Sequence, residues 1–376
     1  MKLGTLTAMN IAHSKRKKAL TRLNNRITIR DIARKAKVSP STVSMILNGR
    51  PGVGEETRYR VLKVIESLNY TPNLVARSLV KGRSYSIAFL IKSTKHPIFP
   101  EIAAGVDEVL KENGYSLSII STYDDSELES KEIGNVRARG IDGILTSAAL
   151  VDNENLKMLV GSGFPVVAVL RRTYNCGDLD YVIVDNSKGA YLAVEHLIRL
   201  GHQRIGIIKG PSNTSTAIER FDGAMKAFKA YGISVSEQLV HEGDYFQKTG
   251  YLGVKGFLKM DLDKRPTAVF ANNDDIALGV FEAIWEAGLK IPEDMALVGF
   301  NNVEATSFCS IQITTISQRT HEMGRLGAQR LIDRIEKKRG YKKRYQIVLE
   351  PELIIRKSCG YSVNSRYVID KAEHVM

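Results

Sequence analysis

The sequence predicts two unlike parts: a small all-α head of helix-turn-helix type, and an α/β core of two doubly wound parallel-sheet lobes. Three observations predict this. Short amphipathic helix patterns crowd the segment 28–68; from Tyr85 onward buried apolar runs alternate with longer helical patterns; and the alternation restarts after the run Y-V-I-V-D. Buried strands alternating with helices imply parallel sheet covered on both faces, and two successive runs imply two such lobes with a cleft between them. At 376 residues the chain also exceeds what one core usually supports.

Start and stop signals delimit the head. Thr28 with Asp31 three residues on predicts a capping box, and Ile29, Ile32, Ala33 and Ala36 fall on one helical face. Val38 sits in the turn. Ser39 suits an N-cap and Pro40 the first helical position, with Val43, Ile46 and Leu47 inward and Asn48-Gly49 closing the helix. Ser41, Thr42, Ser44 and Met45 then face outward, as small polar groups and one flexible apolar one able to approach base edges. A third helix is expected to bury Val61, Leu62, Ile65 and Leu68 and to expose Arg58, Arg60 and Lys63. The run P-N-L-V-A-R-S-L follows.

In the core, Y-S-I-A-F-L-I, S-L-S-I-I-S, D-G-I-L-T-S and P-V-V-A-V-L read as buried strands, with Ile102, Val106, Val109 and Leu110 on the helix after the first. The second run comprises a helix with Leu192, Val194 and Leu197, then R-I-G-I-I-K-G, A-V-F-A-N-N and M-A-L-V-G-F.

Charge singles out the head. Residues 1–83 hold eighteen Lys/Arg against four Asp/Glu, so the remaining 36 basic and 37 acidic residues leave the core near neutral within a chain of net charge +13. One basic module on a neutral body points to phosphate contacts with nucleic acid. Cys176, Cys309 and Cys359 have no metal-ligand or paired spacing and read as reduced, buried thiols. No apolar run reaches the ~18 residues of a membrane span, and the basic cluster Lys15–Lys18 precedes no apolar stretch of a secretory signal. A cytoplasmic protein without membrane contact is expected. No G-x-G-x-x-G follows the first strand, no G-x-x-x-x-G-K-[ST] or G-x-S-x-G is present, and His321-Glu322 lacks a second zinc-binding His. No enzyme, cofactor or metal site is therefore expected.

T-I-R-D-I-A-R-K-A-K-V-S-P-S-T-V-S-M-I-L-N-G, then E-E-T-R-Y-R-V, then N-Y-T-P-N-L-V-A-R-S-L keep the order and spacing of one family. The chain resembles regulators of the lactose/galactose-repressor (LacI/GalR) family, roughly through Gly360. The resemblance implies a periplasmic-binding-protein-like core whose chain crosses between lobes more than once. It places the helix-turn-helix domain at 27–72, a hinge helix and linker at 73–84, and the core at 85–362. Within the core, the first lobe would take 85–184 plus 316–343 and the second 185–315 plus 344–362. A basic extension, 1–26, and a tail, 363–376, lie outside the pattern. The extension fits an arm adding weak phosphate contacts, and fits an inert tail or an upstream start codon at least as well.

The resemblance further implies a homodimer on a pseudo-palindromic double-stranded operator, with a small sugar-like effector bound between the lobes; repression is expected, with activation or a degenerate head as alternatives. Pro40, Ser41 and Met45 match base-facing positions. Met45 departs from the Arg common in relatives and can offer only apolar contact. Thr28, Ser39, Thr42, Ser44, Asn48 and Arg50 would position the backbone. Asn73, Ala76, Arg77 and Leu79 belong to a hinge that folds on DNA, Leu79 as a minor-groove wedge. Effector contacts would come from Phe99, Arg171, Arg220, Tyr245, Asn273, Asp274, Asn301 and Gln318. Many relatives carry G-F-D or G-Y-D where this chain has V-G-F-N-N. An Asn at position 301 together with Arg171, Arg172 and Arg220 leaves two readings open: a neutral sugar, or a negatively charged ligand.

Overall fold

The computed structural model describes residues 27–47, 49–70, 82–308, 312–340 and 342–361, and the chain divides between Lys81 and Gly82 into two units. The hinge residues Asn73, Ala76, Arg77 and Leu79, together with Asn48, the extension 1–26 and the tail 363–376, lie outside the described residues.

In the head, helices α1 (Ile29–Ala36), α2 (Pro40–Leu47) and α3 (Glu55–Ser67) surround a core of Ile32, Ala33, Ala36, Val43, Ile46 and Val61. The capping box forms: the Thr28 hydroxyl accepts from the Asp31 amide, and the Asp31 carboxylate accepts from the Thr28 amide at 3.0 Å. Lys37 ends α1 in the left-handed region (φ 54°). Ser39 Oγ caps α2 by accepting from Thr42 N at 3.1 Å. Gly49 (φ 64°) closes the same helix: its amide reaches Ile46 O and the Arg50 amide reaches Met45 O, a Schellman arrangement. One expectation fails. Leu62 is 48 % exposed, because Val61, Val64, Ile65 and Leu68 alone form the i, i+3, i+4, i+7 stripe and position 62 lies about 100° round from Val61.

The first lobe is a six-stranded sheet whose strands run in parallel. Its β1 (Ser86–Ile91), β2 (Ser116–Ser121), β3 (Gly143–Thr146), β4 (Val166–Val169), β5 (Asp180–Val184) and β11 (Gln346–Leu349) lie in the order β11-β5-β4-β3-β1-β2. The second lobe is a four-stranded parallel sheet, order β7-β6-β8-β9, built from β6 (Ile205–Lys209), β7 (Val240–Glu242), β8 (Ala268–Ala271) and β9 (Ala296–Val298). Helices α4 (Ile98–Glu112), α5 (Ser126–Ala138) and α6 (Glu154–Gly161) connect strands of the first sheet. Helix α7 (Asn186–Arg199) leads from β5 to β6, helices α8 (Ser215–Ala230), α9 (Gln247–Phe257) and α10 (Asp274–Glu286) connect strands of the second sheet, and a short α11 (Ala305–Phe308) follows β9.

The chain changes lobe three times after β5. It enters the second lobe through α7 and returns through β10 (Thr315–Ser317) into α12 (Thr320–Glu336), which packs on α4. It then adds β11 to the first sheet before β12 (Glu352–Ile354) pairs antiparallel with β10. Ser358 finally anchors the chain to the second lobe, its Oγ donating to Leu297 O at 2.6 Å. The helices α4 and α12 approach so closely that a Cβ on Gly105 would stand 2.1 Å from His321 O, and one on Gly324 2.2 Å from Ile102 O.

Three expectations need correction here. The second lobe's last segment does not begin at 344, since Gln346–Leu349 extends the first sheet beside β5. S-L-S-I-I-S is a sheet edge, with Ile119 48 % exposed; nothing in a six-residue apolar run separates an edge strand from a central one. Cys176 is half-buried, whereas Cys359 is buried and its Sγ lies 3.2 Å from His196 Nε2. Strand β7 has too few residues to stand out in the sequence.

Candidate effector cleft and DNA-binding head

Between the lobes, the loops that follow the strands converge on one narrow cleft. Its walls come from both sheets. Lys92 follows β1, His96, Ile98 and Phe99 lead into α4, and Leu170 and Arg171 follow β4. From the other lobe come Thr216 and Arg220 on α8, Tyr245 after β7, Asn273 after β8 and Asn301 after β9. Carboxyl ends of parallel strands are where such sheets bind ligands, because the loops there are free to vary over a fixed scaffold. Backbone strain marks the same rim: Leu170 (φ 72°) and Asn301 (φ 126°) occupy regions that side chains rarely adopt.

Arg220 is the centre of the polar network. It is fully buried, with Nε donating to Asn186 Oδ1 at 2.9 Å, Nη1 to Asn272 O at 2.6 Å and Nη2 to Gln318 Oε1 at 3.3 Å. Its guanidinium lies 3.7 Å from the centre of the Phe300 ring, and burial among neutral partners pulls its pKa down to about 10. Gln318 in turn donates to Asn301 Oδ1. The Tyr245 hydroxyl sits between those of Thr214 and Thr216, each at 2.7 Å, which fixes the ring as a wall. Arg171 and Lys92 lie over that ring at 5.1 and 5.6 Å, and both bond Asp124, at 3.0 Å each. Asn273 caps α10 through Ile276 N and donates from Nδ2 to His96 Nε2 across the cleft at 3.0 Å. Burial, then Arg171, Lys92 and Arg220, hold the His96 pKa down at about 3, so that imidazole is neutral.

Six of the eight effector positions read from the sequence therefore line one cleft: Phe99, Arg171, Arg220, Tyr245, Asn273 and Asn301. Gln318 stands one layer behind, holding Arg220 and Asn301. Asp274 does not line it. Its carboxylate is buried against Val303 N at 2.8 Å and Thr315 Oγ1 at 2.7 Å, and burial raises its pKa to about 6. It ties α10 to the loops after β9, a structural task. Arg172 also turns elsewhere, bonding Glu219 at 2.9 Å, where the backbone of 172 meets Ser215 Oγ at 3.1 Å. Lys92, His96, Ile98, Leu170 and Thr216 were not found in the sequence; their only signal was position in the loop after a strand or in the first turn of a helix.

In the head, α2 presents exposed Pro40 and Ser41 beside partly exposed Thr42, Ser44 and Met45. The Ser39 hydroxyl joins those of Ser41 and Thr42, at 2.6 and 2.8 Å, so the first turn carries a preset row of hydroxyls. Arg50 is exposed, with its carbonyl accepting from Arg58 Nη2 at 3.3 Å. Thr28 is exposed at the start of α1. Among the described residues there is no cluster of three or more metal-ligating side chains, and no helix is long and apolar enough to cross a membrane.

A basic three-helix head of this kind, joined to a two-lobed core with a polar cleft, defines a ligand-responsive DNA-binding regulator. The family comparison agrees. Residues 28–73 match the family described as bacterial regulatory proteins of the lacI family, and residues 84–356 match that of periplasmic binding proteins and the sugar-binding domain of the LacI family. The chain belongs to the LacI family: it is a DNA-binding transcriptional repressor with a ligand-binding core, not an enzyme. It is 34 % identical over 332 residues to the HTH-type transcriptional repressor PurR of Actinobacillus pleuropneumoniae serotype 3 (strain JL03), covering 88 % of this chain and 98 % of that protein. Among solved structures it is similar to the lac repressor dimer bound to operator and the anti-inducer ONPF (TM-score 0.79, 26 % identity, 89 % and 99 % of the two chains). It is similar also to the transcriptional regulator CelR–cellobiose complex (TM-score 0.67, 29 % identity, 89 % and 100 %).

Proposed function

We propose that a small metabolite, a sugar or sugar derivative, binds in the cleft and sets operator affinity by fixing the relative orientation of the lobes. The single observation that carries this reading is the convergence of Arg171, Arg220, Tyr245, Asn273 and Asn301, from separate segments of both lobes, on one cleft. A ligand touching both lobes favours the orientation that gives it most contacts, and linkage makes the effect reciprocal: an effector that weakens operator binding is itself bound less tightly on the operator. The likeness to a cellobiose complex supports a sugar-like ligand, and the likeness to a repressor dimer on operator supports a homodimer.

In that dimer two copies of α2 read a pseudo-palindrome with half-sites about one helical turn apart. Pro40, Ser41 and Met45 face bases, and Thr28, Ser39, Thr42, Ser44, Asn48 and Arg50 position the backbone. Asn73, Ala76, Arg77 and Leu79 form the hinge, Leu79 entering the minor groove. Such a protein works in the cytoplasm, where its operator is. The test is footprinting on candidate operators with and without metabolites, read alongside Arg220→Ala. Symmetrical protection that responds to one metabolite, with the response but not the protection lost in the variant, is the expected result. A monomer on one asymmetric half-site, or a response that survives Arg220→Ala, would contradict it.

A further inference from the structure

The donor set of the cleft is lopsided. Eleven residues line it, and none of them is acidic, whereas Lys92, Arg171 and Arg220 are all cationic. One carboxylate, that of Asp124, serves both Lys92 and Arg171. The partners of Arg220 are the neutral oxygens of Asn186, Asn272, Asn301 and Gln318. The other acids near it are engaged away from the cleft. Glu219 bonds Arg172 and accepts from Asn186 Nδ2 at 2.9 Å, and Asp274 bonds Val303 and Thr315.

Arg220 thus has no carboxylate partner, and Lys92 and Arg171 share one between them, in surroundings where Arg171 and Arg220 are less than 5 % exposed. A guanidinium removed from water without an ionic partner is costly. The acceptors are also largely used up. Asn301 Oδ1 already takes hydrogen bonds from Gln318 and Arg220, and the Tyr245 hydroxyl is flanked by two threonines. A neutral polyol needs acceptors for its hydroxyl protons as well as donors. An oxyanion needs donors only, and arginine matches carboxylate and phosphate with two parallel N–H groups. His96 does not offset this, since burial, and then the neighbouring cations, keep it neutral. Phe99, Leu170 and Tyr245 add an apolar wall beside the cations.

We propose, resting on the reading of this cleft as the effector site, that its ligand is a small organic oxyanion. Its carboxylate or phosphate group is held by Arg220, Arg171 and Lys92, and its carbon skeleton lies against Phe99, Leu170 and Tyr245.

Inorganic phosphate is a sufficient probe. Thermal unfolding of the full chain is followed against phosphate concentration, with sodium chloride holding ionic strength constant. General salt stabilisation rises without saturating, whereas occupation of a site follows the logarithm of one plus concentration over Kd. A saturable component is expected in the wild type, shifted at least tenfold to weaker binding in Arg171→Gln. Asp124→Asn should move it the other way, several-fold tighter, because the carboxylate that competes for Arg171 and Lys92 is gone. Opposite shifts cannot arise from a folding defect common to both variants, and any phosphate held by the basic head is the same in all three proteins. Calorimetry with glucose, gluconate and glucose 6-phosphate, and with ribose and ribose 5-phosphate, then separates carboxylate from phosphate as the source of the charge. Absence of a saturable component, or weaker binding in Asp124→Asn, overturns the inference. Binding of a neutral sugar in preference to its acid or phosphate overturns it too, while the regulatory reading stands. Saturable, Asp124-sensitive phosphate binding with operator affinity indifferent to every cleft ligand retires the regulatory reading and leaves the anion site.

Discussion

Replacing Asp180 by Asn should cost the core about 3–5 kcal/mol, the range for a buried charge left without its partner. The side chain of Asp180 is wholly buried. Its Oδ2 accepts from Arg330 Nε and Arg334 Nε, each at 2.6 Å, and its Oδ1 from the Tyr345 amide at 2.9 Å. One carboxylate on β5 therefore holds two segments at least 150 residues later in the sequence, α12 and the chain entering β11. An asparagine keeps one oxygen and turns an NH₂ toward either the guanidinium pair or the Tyr345 amide, so a donor faces a donor whichever way it flips. Arg334 can move toward solvent, at 22 % side-chain exposure, but Arg330, at 7 %, cannot. Urea unfolding followed by far-UV circular dichroism measures the loss. With a slope of about 3 kcal/mol per molar, at the upper end for small domains, the midpoint should fall by about 1–1.7 M. Pairing Asp180→Leu with Arg330→Met should recover part of the loss, since apolar replacement of a buried ion pair is often neutral. A midpoint for Asp180→Asn within 0.3 M of wild type, as an order-of-magnitude bound at that slope, would refute the claim that this carboxylate pins the returning chain.

Ser39→Ala removes the N-cap of α2 and should destabilise the head by about 1 kcal/mol, with a matching loss of operator affinity in gel shifts; unchanged affinity would show that the first turn holds without it. Gly105→Ala puts a methyl 2.1 Å from His321 O and should lower the core's melting temperature by separating α4 from α12, a change expected to cost at least the roughly 1–3 kcal/mol of an overpacked core. His96 and His196, with pKa values held down near 3 and 4 mainly by burial, should keep unchanged imidazole C2–H shifts between pH 8 and about 5 in NMR titration. Because the unfolded chain takes up protons near pH 6.5 that these folded histidines refuse, both withdraw stability as pH falls from about 6.5 toward 4. Asp274 and Asp275, raised to about 6, act in the opposite direction below that pH.

The head was legible because its determinants are local. Thr28 with Asp31, Ser39 with Pro40, and Gly49 are each caps formed within a few residues, and an apolar stripe says which face is inward. Leu62 was misplaced because a stripe read from sequence has no neighbour to define its width. In the core, strand and helix alternation sufficed for two parallel-sheet lobes, since crossovers of that length admit few arrangements.

The crossings were not legible in the same way. Q-I-V-L and E-L-I are short runs that could pair with any open edge, and it is the buried Asp180 carboxylate and the edge of β5 that take the first of them into the N-terminal sheet. The cleft shows the same division. Sequence, through a family resemblance, indicated Phe99, Arg171, Arg220, Tyr245, Asn273 and Asn301, but it could not say that Asp274 turns inward to hold a loop or that Arg172 turns aside to meet Glu219. Side-chain direction at a strand end is set by what the next loop brings, and those loops come from both lobes. The sequence alone determined which segments become helix and strand, because capping and periodicity act over a few residues. Only the tertiary structure decided which charges share a partner, because the burial and pairing of a charge depend on atoms a hundred residues away.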